Sequence, residues 1–172
     1  MVWSSRVYAA TVYAVASKSK GPRSDLRVLF ADLVRCETRL YNALNDRLRE
    51  RHGIVTSQYE FLYHLREHPG SRVADLAAEF AIGIGATSKG IDRLERHGWV
   101  ARQPNPADRR SSLLVLTDDG VCLADAAERT FTERVTELVG ETLGATRTAA
   151  VAEALALLRT ALEHDQIGMP TG

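Results

Sequence analysis

The sequence predicts a mainly α-helical protein carrying one small β-hairpin. Three observations support this. Apolar residues recur every three or four positions across most of residues 24–164, only two short β-prone runs interrupt them, and those runs are joined by a stretch of proline, asparagine and aspartate. At 172 residues and 45% hydrophobic content the chain can bury one good core but not two full domains. Its 22 basic and 22 acidic residues cancel, so any affinity for nucleic acid must come from local clustering of charge.

From Ser24 the stripe Leu26, Leu29/Phe30, Leu33, Cys36/Glu37, Leu40, Leu44 and Leu48 marks one long helix ending at Gly53. A helix of that length has more apolar surface than so small a domain covers, which points to a partner subunit. Ser57 and Glu60 are spaced as a capping box for a second helix, which His68–Pro69–Gly70 closes. Ser71 is expected to cap a short third helix carrying Val73, Leu76, Ala77 and Phe80. A fourth helix follows over 84–97, with Ile84, Ile91 and Leu94 as its buried side and Gly98 as its left-handed stop. Residues 99–102 and 112–116 read as paired strands, and Thr117 caps a long helix that weakens at Gly140–Gly144 and resumes over 146–164.

The ends of the chain and the cysteines need separate treatment. Arg6 before the apolar run Val7–Ala16 faintly resembles a secretory leader, but its single basic residue and the tyrosines Tyr8 and Tyr13 favour a flexible extension over residues 1–23. No apolar run approaches the ~18 residues needed to span a bilayer. Cys36 and Cys122 lie far apart without CxxC partners, so neither a disulfide framework nor a zinc site is expected, and a reducing, cytoplasmic setting is the simplest one. Cys36 on the apolar stripe, and Cys122 with it, are expected to be packed away.

Residues 81–90, AIGIGATSKG, combine glycines, hydroxyls and a lysine as a phosphate loop does. In the register GxxxxGK[ST] from Gly83, however, Ser88 stands where glycine is required and Gly90 where a hydroxyl is required. A dinucleotide fingerprint fails at Ser88 as well, and the segment before it is helical rather than a strand. The competing reading is a helix–turn–helix, with Ala81–Ile82–Gly83 as the turn, Ile82 as a plug and Gly83 relieving backbone strain. Gly85, Ala86, Thr87, Ser88, Lys89 and Arg93 then form the face offered to a DNA major groove. From Lys89 to Arg110 six basic residues stand against three acids, and the hairpin tip ends in Arg109–Arg110, suited to the minor groove.

VADLAAEFAIGIGATSKGIDRLERHGWVARQPNPADRRSSLLVLTDDG, followed by a long helix, resembles the MarR family of winged helix–turn–helix regulators. The resemblance spans roughly residues 25–163 and is most specific in DRLERHGWV and DRRSSLLVLTDDG. It implies a winged helix–turn–helix domain over 56–117, a dimerisation helix over 24–55, further dimerisation helices over 118–164 and a tail over 165–172. It also implies a homodimer on a palindromic operator in double-stranded DNA, with Asp108 bracing the wing, Arg110 entering the minor groove and Arg109 on phosphate. Gly83, Gly85 and Gly90 depart from a family pattern richer in Ser, Thr and Arg.

Many members of the family are repressors released by a small anionic or phenolic ligand. Tyr59, Tyr63, His64 and Arg66 are the candidate pocket residues here, while Gly90 occupies the place of an arginine in the urate-responsive branch. Cys36 falls about one turn from the reactive cysteine of the oxidation-sensing branch, which leaves two alternatives, a redox-responsive regulator and a sensor acting through a protein partner. No enzyme, cofactor or metal site is expected, because His52, His64, His68, His97 and His164 are scattered and no catalytic constellation surrounds them.

Overall fold

A computed structural model describes residues 22–170, with side chains from Asp25 onward. All but the last two residues of the expected extension over 1–23 lie outside the described residues. The elements are α1 (Pro22–His52), α2 (Thr56–Glu67), α3 (Val73–Glu79), α4 (Ile84–Arg96), β1 (Val100–Pro104), β2 (Ser112–Leu116) and α5 (Asp118–Val135). One π-helical turn, Thr136–Gly140, then leads into α6 (Glu141–His164). The mainly α fold with a single hairpin is therefore as expected.

The chain divides into two compact units within α1, after Arg39. In the first, Leu26, Val28, Leu29, Phe30, Leu33 and Val34 are all exposed. Cys36 is exposed too, and so is Cys122 on α5, which corrects the expectation that both thiols are packed away. An apolar stripe predicts burial only where something covers it, and among the described residues nothing covers this part of α1.

The second unit holds the core. Leu48, Ile54, Leu62, Leu65, Leu76, Ile91, Leu94 and Leu114 are fully buried, with Phe61, Tyr59, Val100, Ala124 and Ala127 around them. Aromatic contacts join the layers: Tyr59 stacks on Phe131 of α5 at 4.6 Å between centroids, and Phe61 meets Phe80 at 5.4 Å. Arg66 of α2 reaches across to α5, where Asp125 accepts at 2.8 Å and Glu128 also pairs with it.

Helix starts differ from the sequence expectation in instructive ways. α2 begins at Thr56 rather than after Ser57, and Gln58, not Glu60, reaches back to accept from the Val55 N–H at 3.0 Å. The Thr56 N–H is taken by Asn45 Oδ1 of α1 at 2.9 Å, while Glu60 accepts from the Tyr41 hydroxyl at 3.2 Å. Ser71 does not cap α3. The cap position is Arg72, whose N–H donates to Asp75 Oδ2 at 2.8 Å, and Ser71 instead bridges Leu114 as a one-residue third strand beside β2. Thr117 caps α5 as predicted, its Oγ1 accepting from the Gly120 N–H at 3.1 Å.

The turn between α3 and α4 also departs from expectation. Ala81, at φ 50, carries the left-handed conformation, whereas Gly83 is extended at φ −63, ψ 138. Strain of about 1–2 kcal/mol therefore sits on an alanine, and the Ile82 N–H bonding back to the Ala77 carbonyl at 3.0 Å closes the turn around it.

α4, the hairpin and α5 meet at one junction. Gly98, at φ 76, ends α4, its carbonyl accepts from the Thr117 hydroxyl at 2.6 Å, and the Thr117 N–H donates to the Trp99 carbonyl at 3.1 Å. β1 and β2 pair antiparallel from Val100 opposite Leu116 to Pro104 opposite Ser112. A Cβ on Gly120 would lie 2.0 Å from the Trp99 carbonyl oxygen, so only glycine lets α5 start here. Farther along, Gly144 breaks α6 at φ 73, ψ 162, and no residue of α6 is buried.

These glycines separate cleanly by experiment. Gly120→Ala is expected to destabilise the fold by about 3 kcal/mol, the upper range for overpacking, because the obstacle is backbone. Gly85→Ala, whose Cβ meets open space, is expected to stabilise by up to ~1 kcal/mol through helix propensity. Equilibrium urea unfolding measures both, and equal stabilities for the two variants would contradict this account of the junction.

Candidate nucleic-acid interface

α4 carries its apolar stripe on Thr87, Ile91 and Leu94, all fully buried. The sequence pattern places Thr87 among the outward recognition residues. Its side chain instead faces the core, where its hydroxyl donates to the Gly83 carbonyl at 3.1 Å. Ile84, expected on the buried side, is 62% exposed. Both follow from one fact: the first turn of α4 projects beyond the core, so the stripe is covered only from position 87 onward. The i, i+4, i+7 spacing of 87, 91 and 94 was the signal that would have found it.

The outward face of α4 consists of Ile84, Gly85, Ala86, Lys89, Asp92, Arg93, Glu95 and Arg96, with Ser88 half-buried. Gly90 is turned inward, and a Cβ there would come within 2.7 Å of the Phe61 ring. Its side chain is absent because α4 lies close against α2, so this glycine serves packing rather than contact with a ligand.

The charges on this face are sorted by one residue of the hairpin. Arg102 of β1 donates from Nε to Glu95 at 3.1 Å and from Nη2 to the Asp92 carboxylate, so one guanidinium ties the hairpin to α4 and neutralises both acids. Arg96 Nε donates to the Asp92 carbonyl at 3.3 Å. Lys89, Arg93, Arg109 and Arg110 are exposed and enter no salt bridge among the described residues.

The hairpin tip is built from local hydrogen bonds. Asn105 Oδ1 accepts from the Ala107 N–H at 3.0 Å, and its amide donates to Ser111 Oγ at 2.8 Å. Asp108 Oδ1 accepts from the Arg110 N–H at 3.0 Å, an Asx-type turn across the tip. The loop thus has a defined shape while the arginine side chains at its tip remain in solvent.

Of the candidate pocket residues, Tyr59, Tyr63 and His64 line a groove of about 690 Å³, with Glu60, Glu67, His68, Glu79, Phe80, Glu128, Phe131 and Thr132. Arg66 does not line it. Its guanidinium is held by Asp125, Glu128 and Glu67 and lies 4.9 Å from the Tyr63 ring centre. Burial, reinforced by Glu128, pushes the Tyr59 hydroxyl up to about 12, so it stays protonated at neutral pH. Burial, with His68 nearby, lowers the His64 pKa and favours its neutral ring.

Among the described residues no cluster of His, Cys, Asp or Glu is arranged to hold a metal ion, and no helix is long and apolar enough to cross a membrane.

Comparison with known proteins agrees with this geometry. Residues 54–112 match the family model described as MarR family. Multiple antibiotic resistance protein MarR of Escherichia coli is 30% identical over 108 residues, covering 60% of this chain and 69% of that protein. The HTH-type transcriptional repressor NicR of Pseudomonas putida is 32% identical over 114 residues, covering 66% and 69%. Among solved structures, a MarR family transcriptional regulator from Streptomyces coelicolor in complex with DNA superposes with a TM-score of 0.78 at 22% identity, covering 90% of this chain and 98% of that one. The transcriptional repressor CouR, bound to a 23-mer DNA duplex, gives 0.72 at 27% identity, covering 83% and 99%. With two relatives at 30% and 32% identity matched over more than two thirds of their length, and a family model matching residues 54–112, from just before α2 through the helix–turn–helix and β1 to the first residue of β2, the chain belongs to the MarR family of transcriptional regulators.

Proposed function

We propose that the protein binds double-stranded DNA as a homodimer at a palindromic operator and represses transcription until a small ligand releases it. The observation that carries this reading is the double salt link of Arg102. It fastens the hairpin to α4, cancels the acids between them and leaves Lys89, Arg93, Arg109 and Arg110 as exposed cations, with no salt bridge among the described residues, on two elements held in fixed relation. α4 then supplies a major-groove reader and the hairpin tip a minor-groove one, with half-sites about one helical turn (~10 bp) apart.

Two features of the chain support dimerisation. α6 buries none of its residues, yet carries Val151, Leu155, Leu157, Leu158 and Leu162, and the first half of α1 exposes Leu26, Leu29 and Phe30. Surfaces of this kind are what a second copy covers. The groove beside Tyr59 supports a ligand of restricted charge. Glu60, Glu67, Glu79 and Glu128 line it and the nearest arginine is committed to carboxylates, so a neutral phenol fits better than an anion.

Three measurements test the proposal. In electrophoretic shifts with a duplex selected from a random pool, Arg110→Ala is expected to weaken binding and lower the salt slope by about one, as loss of a single DNA contact does. Thr87→Val is expected to leave the selected sequence unchanged and to act on stability alone. A changed sequence preference for Thr87→Val, or no selection of any duplex, would contradict the assignment of the face. By light scattering, Leu158→Glu is expected to yield monomers that bind the duplex at least ~10-fold more weakly, and a monomeric wild-type chain would refute the dimer. Titrated against the complex, an uncharged phenol is expected to release DNA at concentrations where benzoate does not, and the reverse order would refute the charge argument.

A further inference from the structure

Ile84 is a large aliphatic side chain at the outer end of α4, 62% exposed, on a helix whose other exposed residues are small or charged. Gly85 and Ala86 follow it immediately, and their side chains present no hydrogen-bonding groups and almost no bulk. A Cβ at Gly83 or at Gly85 would meet nothing within 4 Å, so the backbone on either side of Ile84 is also uncrowded. The helix therefore begins with a low, apolar prow, and its first polar outward side chains, Ser88 and Lys89, stand one turn back.

An apolar group of this kind has one specific partner in the major groove. Of the four base pairs, only those containing thymine present a methyl group there, at C5, whereas the other edges offer hydrogen-bond donors and acceptors that an isoleucine would desolvate without replacing. The small residues beside Ile84 permit the close approach that a methyl–methyl contact needs. Lys89, one turn along, meanwhile suits a phosphate or a guanine edge.

We propose that Ile84 is a specificity-determining residue that reads the C5-methyl group of one thymine in each operator half-site. The inference rests on the DNA-binding reading above and adds to it a base and a chemical group. It also changes the role of the glycine-rich segment: Gly85 and Ala86 are small so that Ile84 can reach the groove floor.

The test uses the full chain and the duplex it selects from a random pool, synthesised with deoxyuridine in place of each thymine in turn, which removes only the methyl group. One symmetry-related pair of substitutions is expected to weaken wild-type binding about fourfold per half-site, the value of one buried methyl-sized group, and roughly 15-fold for both together. The same pair is expected to leave Ile84→Ala binding unchanged, and selection with Ile84→Ala is expected to lose thymine at that position. Ile84 is exposed, so its alanine variant is expected to unfold at the wild-type temperature, which circular dichroism checks. If no thymine is methyl-sensitive, or if the sensitivity persists in Ile84→Ala, the inference is overturned while DNA binding stands. If no duplex is selected at all, the DNA-binding reading fails and takes the inference with it.

Discussion

The structure depends on the contact between Gly120 and the Trp99 carbonyl. Three chain segments converge there: the end of α4 at Gly98, the start of β1 after Trp99 and the first turn of α5 at Thr117–Gly120. Thr117 binds all three, donating to the Gly98 carbonyl at 2.6 Å, accepting from the Gly120 N–H at 3.1 Å and offering its own N–H to Trp99. Because the approach is backbone to backbone, no side-chain rearrangement relieves it. The positions of α4 and the hairpin relative to α5 are therefore set by peptide geometry, which is far stiffer than rotamer packing.

On that frame the electrostatics can be local in a chain with no net charge. Six basic residues between Lys89 and Arg110 would form only a diffuse patch if their acidic neighbours were free to pair with any of them. Arg102 engages both Asp92 and Glu95, and the remaining cations stay outward. Ion pairs that are partly exposed contribute little stability. This one matters for where it leaves the other charges.

Much of this architecture was legible in the sequence, and the exceptions share a physical cause. The helix order, the hairpin, the Thr117 cap and the stop at Gly98 follow from local chemistry, which the sequence states directly. The errors arose where a residue's fate depends on what lies across from it. Ile84 and Thr87 exchanged faces because periodicity gives the stripe but not where the core ends. Ser57 and Ser71 looked like caps because hydroxyl spacing cannot reveal that Asn45 of α1 takes the Thr56 N–H, or that Leu114 pairs with Ser71. Cys36 was expected inside because a stripe does not say whether its cover belongs to the same chain. Gly90, which looked like a departure in the recognition surface, is a packing residue against Phe61, a long-range relation.

The bend at Gly144 has a geometric consequence for any assembly joined through α6. The twenty or so residues beyond it form a lever roughly 30 Å long, so a change of about ten degrees in that single glycine's torsions moves the far end by about 5 Å. That exceeds the ~3.4 Å step from one base pair to the next. In the proposed dimer, the torsions of Gly144 thus bear on the spacing at which two reading heads match a duplex, although the glycine itself lies far along the chain from α4 and the hairpin.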